Sequence, residues 1–183
     1  MQNFAPVTTG VGLHWHHFGF PILPPIIAID VPAVLPPAKM NKVVVYLPFE
    51  NPQMILDLLR PLSSHEFFIY HPELTDRDEG HLHPRAIARE EFRKTLLEAG
   101  SVITNSGFEL ISECLQFGKR ILSKPLRGQM EQLSNAAALQ KLGYAQVIDD
   151  LDRQAIATWL TGSTPGVTIN YPKVAPVLAS WIA

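Results

Sequence analysis

Two glutamates four residues apart, Glu109 and Glu113, stand in an otherwise apolar stretch of this 183-residue chain. If residues 107–117 form a helix, Phe108, Leu110, Ile111, Cys114, Leu115 and Phe117 cover nearly its whole circumference and leave the glutamates a narrow polar stripe. Like charges at this spacing cost a helix a few tenths of a kcal/mol, and burial adds desolvation, so something polar should meet them. An anion would sit well at the helix mouth beside Ser106 and Gly107, where open amides and the helix dipole favour negative charge. Glu113 then lies about 9 Å along the axis, at about 1.5 Å per residue. That is roughly the span from a diphosphate to the ribose of one nucleotide, and a carboxylate accepts well from two ribose hydroxyls. The spacing points to a nucleotide-diphosphate site; an ordinary crossover helix with two solvated glutamates fits it equally.

A second polar group, Gly128-Gln129-Met130-Glu131-Gln132, falls where another helix begins. Gln129 and Gln132 are one turn apart, and with Glu131 they offer donors and acceptors to a polyhydroxyl ligand, or they cap the helix. His14, His16 and His17 surround Trp15 without the spacing of a zinc site, so aromatic packing is expected there, not metal. His81 and His83 should face one side of a short strand, with no carboxylate evident beside them. No GxGxxG, P-loop or GxSxG motif occurs. A nucleophilic Ser106 lacks both a glycine elbow and a downstream histidine, since the last one is His83.

Alternating strands and helices must position these groups. Strands are expected over 42–49, 66–71, 81–83, 101–104, 120–123 and 145–148, and helices over 52–62, 89–99, 107–117, 129–142 and 152–160. Asn105 or Ser106 should cap the third of these helices, and Gly143 should end the fourth. Repeated strand-then-helix units imply an α/β fold, a doubly wound parallel sheet of Rossmann-like kind, with ligands beyond the carboxyl ends of the strands. The flanks differ. Residues 1–40 carry seven of the sixteen prolines and read as a linker or the remnant of a preceding domain. Residues 163–183 read as a tail with a short apolar helix, leaving 41–162 as the ligand-binding domain.

Charged residues are only 17% of the chain and the formal net charge is −2, so nothing basic points to nucleic acid. The single cysteine, Cys114, excludes an internal disulfide and a cysteine zinc cluster, and agrees with a reducing cytoplasm. The longest apolar run, 18–29, is too short to span a bilayer and holds three prolines. No signal peptide is evident at the N-terminus.

Over residues 105–145 the two polar groups join. The stretch NSGFELISECLQFGKRILSKPLRGQMEQLSNAAALQKLGYA resembles the donor-binding half of a GT-B glycosyltransferase, similar to glycosyltransferase family 28 and the UDP-glucuronosyltransferase-like proteins. The residues that carry the resemblance are Ser106-Gly107, Glu113, Pro125, Glu131-Gln132 and Asn135-Ala136. It implies that a UDP-sugar binds as substrate, with no cofactor or metal. By the same resemblance the amides of Ser106, Gly107 and Phe108 hold the diphosphate, Glu113 the ribose, and Gln129, Glu131 and Gln132 the sugar, with Glu109 beside them. The backbone at His83 and Arg85 would hold uracil, and Phe49, Glu50 and Asn51 would form the loop near the phosphates, although that loop lacks the family's glycines. Phe117 stands eight positions after Glu109, where a retaining-type pair would place a second glutamate, which favours inversion. A GT-B enzyme has two such domains, and the general base usually comes from the N-terminal one. The resemblance therefore implies an N-terminal acceptor domain in cis or in trans, as in a split enzyme with a membrane-anchored partner. It also implies self-association through an uncovered apolar face, and a cytoplasmic or peripheral membrane location. A UDP-sugar 2-epimerase half and a non-catalytic nucleotide-sugar sensor are the rival readings.

Overall fold

The computed structural model describes residues 10–27 and 35–182. The expected linker is thus open to description only in part, since 1–9 and 28–34 lie outside those residues. The chain divides into two compact units, 31–169 and a second made of 1–30 with 170–183. Residues 163–169, expected to belong to the tail, fall in the larger unit.

The smaller unit contains β1 (Gly12–Leu13), β2 (Ile22–Leu23) and α6 (Ala175–Ile182). In the larger unit the chain runs β3 (Lys39–Tyr46), α1 (Pro52–Leu59), β4 (Glu66–Tyr70), β5 (Leu82–Arg85), α2 (Arg89–Glu98), β6 (Ala99–Asn105), α3 (Phe108–Gln116), β7 (Arg120–Lys124), α4 (Met130–Leu142), β8 (Gln146–Val147) and α5 (Arg153–Thr161). Six strands pair in the order β5-β4-β3-β6-β7-β8, and all pairs are parallel. The chain works outward from β3 to β5, then returns to lay β6 on the other side of β3. Strand order therefore reverses between β3 and β6, and a crevice must open there between the diverging connections.

Alternation along the strands sorts the core. Val43, Val45 and Leu47 join Phe67, Ile69 and Leu82 on one face, under Ile55, Leu56 and Leu59 of α1 and Ile156, Trp159 and Leu160 of α5. On the other face Tyr46 and Tyr70 meet Phe92 of α2 edge to face at 5.4 and 5.0 Å. β6 is buried over its entire length, as a central strand covered on both sides should be.

β3 stops at Tyr46, short of the expected 49, because the chain turns at Pro48 and the Glu50 amide bonds back to the Leu47 carbonyl at 3.1 Å. His81 precedes β5. Leu82 takes the core face, so His83 lies on the opposite one, stacked on Phe68 at 4.4 Å, while His81 turns toward Phe67 and the Leu59 carbonyl. The expectation that both histidines share a face fails for that reason. Gly143 ends α4 in the left-handed region at φ 67°, with the Tyr144 amide on the Leu139 carbonyl at 2.9 Å. Among the described residues no helix is long and apolar enough to cross a membrane.

Candidate functional site

The turn after β6 is fixed from three directions. The Asn105 Nδ2 donates to the Lys124 carbonyl at 3.0 Å, and the Ser106 hydroxyl pairs with that of Ser123 at 2.7 Å, both across the β6–β7 boundary. From α4, the Gln132 Oε1 accepts the amides of Ser106 at 3.2 Å and Leu126 at 3.0 Å, and the Asn135 Nδ2 donates to the Ser106 carbonyl at 3.0 Å. Ser106 is fully buried with its hydroxyl, amide and carbonyl all engaged. It is therefore a strut of the turn, and neither a nucleophile nor the amide that meets an anion. The cap expected from Asn105 or Ser106 does not form, because both side chains are committed to β7. Gly107 occupies the N-cap position of α3 with extended backbone and, having no side chain, supplies no cap of its own. Its first turn opens toward the crevice.

That crevice is a cleft of about 570 Å³ at the switch point between β3 and β6. Tyr46, Pro48 and Phe49 wall it from β3 and the following loop, and Ile87, Arg89 and Phe92 from the start of α2. Gly107, Phe108, Glu109, Leu110 and Glu113 of the α3 region form its floor, while Glu131 and Gln132 come from the mouth of α4. Glu113 is only 8% exposed, and burial, then the charge of Glu109, pushes its carboxyl up to about 7 despite opposing pulls from Arg89 and Arg93. Glu109 itself is exposed. A buried carboxyl in an apolar-walled cleft, one to two turns from the N-terminus of α3, can accept hydroxyls at one end while amides take an anion at the other.

The structure gathers Gly107, Phe108, Glu109, Glu113, Glu131, Gln132 and Phe49 at this cleft. Gln132 lines it with its carbonyl oxygen already spent on two amides. Gln129 is exposed at the N-cap of α4 and does not line the cleft. Glu50 turns away to pair with Lys124 at 2.5 Å, while its backbone carbonyl meets His71 at 3.0 Å. Asn51 caps α1 through the Met54 amide at 3.0 Å. His83 and Arg85 also lie off the cleft wall. His83 sits between Glu66 and Asp78 at 2.8 and 2.7 Å, two carboxylates the sequence did not reveal, and Arg85 bonds Asp78 at 2.6 Å and the Arg77 carbonyl. The residues that line the cleft on this side are Ile87, Arg89 and Phe92, a few residues further on. Tyr46 and Asn105 also line the cleft without having been singled out as binding residues. Their position at the C-terminal ends of strands was the available signal. Among the described residues no group of three or more His, Cys, Asp or Glu could hold a metal ion.

With this geometry in hand, comparison with known proteins is informative. The family model described as glycosyl transferase family 1 matches residues 19–163. A crystal structure of the glycotransferase of kitacinnamycin superposes with a TM-score of 0.53 at 16% identity, covering 77% of this chain and 40% of that one. The glycosyltransferase SnogD from Streptomyces nogalater superposes with a TM-score of 0.52 at 15% identity, covering 87% of this chain and 50% of its own. At such identities the likeness is one of fold. The chain spans half or less of the length of either neighbour. No curated protein matches it.

Proposed function

The chain belongs to glycosyl transferase family 1, and from that premise we propose that it is the donor-binding half of an inverting GT-B glycosyltransferase that takes a UDP-sugar. One observation supports this most: a buried Glu113 shares a cleft with the N-terminus of α3, at the point where strand order reverses. In this reading the Glu113 carboxylate accepts the ribose hydroxyls. The amides opening α3, from Gly107 onward, hold the diphosphate and stabilise its charge as it leaves, without a required metal. Glu131 and Gln132 lie beside the sugar; Gln132 offers its amide nitrogen, because its oxygen is engaged. The aromatic and aliphatic wall of Tyr46, Ile87 and Phe92 receives the base.

Transfer is a direct displacement at the anomeric carbon: the acceptor oxygen forms its bond as the bond to the diphosphate oxygen breaks on the opposite face. A general base from an N-terminal acceptor domain takes the acceptor proton. The length of the two structural neighbours supports such a second domain, and so do apolar side chains exposed at 68%, 80% and 43%, Phe49 on the cleft wall and Met130 and Leu133 in the first turn of α4. The chain alone should bind donor and not transfer. The test is to combine it with its acceptor domain, supply UDP-sugar of known anomeric configuration, and follow the anomeric proton by NMR. Product of opposite configuration is expected; retention, or epimerisation of free sugar, would overturn the reading.

A further inference from the structure

The histidines near the N-terminus take no part in the cleft, yet their geometry is unusual. Residues 14–21 join β1 to β2, which pair in parallel with Gly12 opposite Ile22 and Leu13 opposite Leu23. Parallel neighbours ordinarily need a crossover of about a dozen residues or more. Here a much shorter connection is folded tightly enough to put Phe18 at φ 50° and Gly19 at φ 85°, with the Phe20 amide on the His17 carbonyl and the Ile22 amide on the Phe20 carbonyl, each at 2.8 Å. A bulky side chain such as Phe18 is strained in the left-handed region, so something must hold the turn.

Three imidazoles do. The Nδ1 of His14 accepts the His16 amide at 3.3 Å, that of His16 the Phe18 amide at 2.9 Å, and that of His17 the Gly19 amide at 3.0 Å. A ring nitrogen that accepts an N–H carries no proton, so each neutral ring holds its proton on Nε2. The next proton can enter only at Nδ1, and the imidazolium so formed has no lone pair left for the amide. The same argument disfavours a metal, which at Nε2 would have to displace the only remaining proton.

His17 is exposed to solvent, while His14 and His16 are partly buried among aromatic rings. His16 and His17 stack at 4.8 Å, His14 packs edge-on against Trp15 at 5.1 Å and Phe18 at 5.4 Å, and His16 lies against Phe18 at 4.6 Å. The described residues of this unit carry one other charged side chain, Lys173, besides the titratable Tyr171, and no carboxylate. Burial, then the neighbouring His16, already holds the His14 ring below the ordinary imidazole value. Charging two stacked rings adds like-charge repulsion to the lost hydrogen bonds.

We propose that residues 14–19 are a proton-operated latch: neutral imidazoles hold the short parallel connection closed, and protonation of His14, His16 and His17 at Nδ1 releases it and uncouples β1 from β2. Release would also dismantle the apolar groove of about 420 Å³ that Val11, Pro21 and Leu23 form with Val177, Leu178 and Trp181. Because several protons enter on one opening, the transition should be steeper than a single titration.

The test is NMR on the full chain. At pH 7.5 the three rings should be Nε2–H tautomers and the amides of His16, Phe18 and Gly19 protected from exchange; at pH 5 protection should fall at least tenfold. In the triple variant His14→Asn, His16→Asn, His17→Asn, each Asn oxygen can accept the amide two residues on, as in an Asx-turn, without titrating. That variant should stay protected at both pH values. Nδ1–H tautomers at pH 7.5, undiminished protection of the unsubstituted chain at pH 5, or the same acid loss in the variant would each overturn the proposal. The tautomers and pH response of the unsubstituted chain decide the matter even if the variant fails to close.

Discussion

Glu113 sits where the proposed contact with ribose and a stability cost meet in one side chain. Its folded carboxyl titrates at about 7 instead of 4.5, so between those values the folded protein keeps a proton that the unfolded chain releases. Stability must therefore fall as pH rises from 4.5 to 7, then level off, with a total on the order of 3 kcal/mol. Glu113→Gln should abolish that slope. Urea unfolding at pH 8 should find the variant more stable than the unsubstituted chain by about 1–3 kcal/mol, and a less stable variant would contradict the assignment. Glu113 was legible in the sequence because a carboxylate on an apolar helix is conspicuous. Gln132 was legible as a position but not as a role: the two amides it accepts come from turns 26 and six residues away, and only the fold brings them together.

At the scale of elements, the β6–α3 turn and the α4 mouth act as one piece through Gln132 and Asn135. Gln132→Ala leaves the buried Ser106 amide and the part-buried Leu126 amide without their acceptor, which should cost about 2–4 kcal/mol in thermal or urea unfolding. A role confined to sugar contact would leave stability unchanged and weaken only donor binding. On the opposite side of α3, residues 163–169 pack against the α3–β7 turn, with the Ile169 amide on the Leu115 carbonyl at 2.9 Å. A Cβ at Gly166 would stand 2.3 Å from the Gly118 carbonyl oxygen and 2.5 Å from the Lys119 carbonyl carbon, both of them backbone. Gly166→Ala should therefore destabilise by about 1–3 kcal/mol, measured by urea unfolding, while donor affinity in the folded protein stays within twofold. The alternation of strands and helices was readable throughout. The reach of β6 from Ala99 to Asn105, the path after β5 and the attachment of 163–169 were not, because each depends on which neighbour a segment meets.

For the whole molecule, a sheet whose order reverses between β3 and β6 puts the cleft where an α/β fold of this kind is expected to bind its ligand, and the family match and the two structural neighbours agree with that architecture. The sequence resemblance, to family 28 and the UDP-glucuronosyltransferase-like proteins, reached the same GT-B architecture from about 40 residues, and the matching family model is described as glycosyl transferase family 1. It named His83 and Arg85 for the base, and the pairing of His83 with Glu66 and Asp78 and of Arg85 with Asp78, away from the cleft lining, becomes visible only once the strands are paired. Apolar side chains exposed on the cleft wall and in the first turn of α4 should make the isolated chain self-associate as concentration rises, seen by sedimentation. A strict monomer at high concentration would argue against a missing partner on that face. Calorimetric titration of UDP into this chain, with CDP and ADP as controls and Glu113→Ala alongside, tests the proposed donor site most directly. UDP-selective binding weakened at least tenfold in the variant is expected. Equal affinity for all three nucleotides, or UDP binding untouched by loss of Glu113, would contradict it.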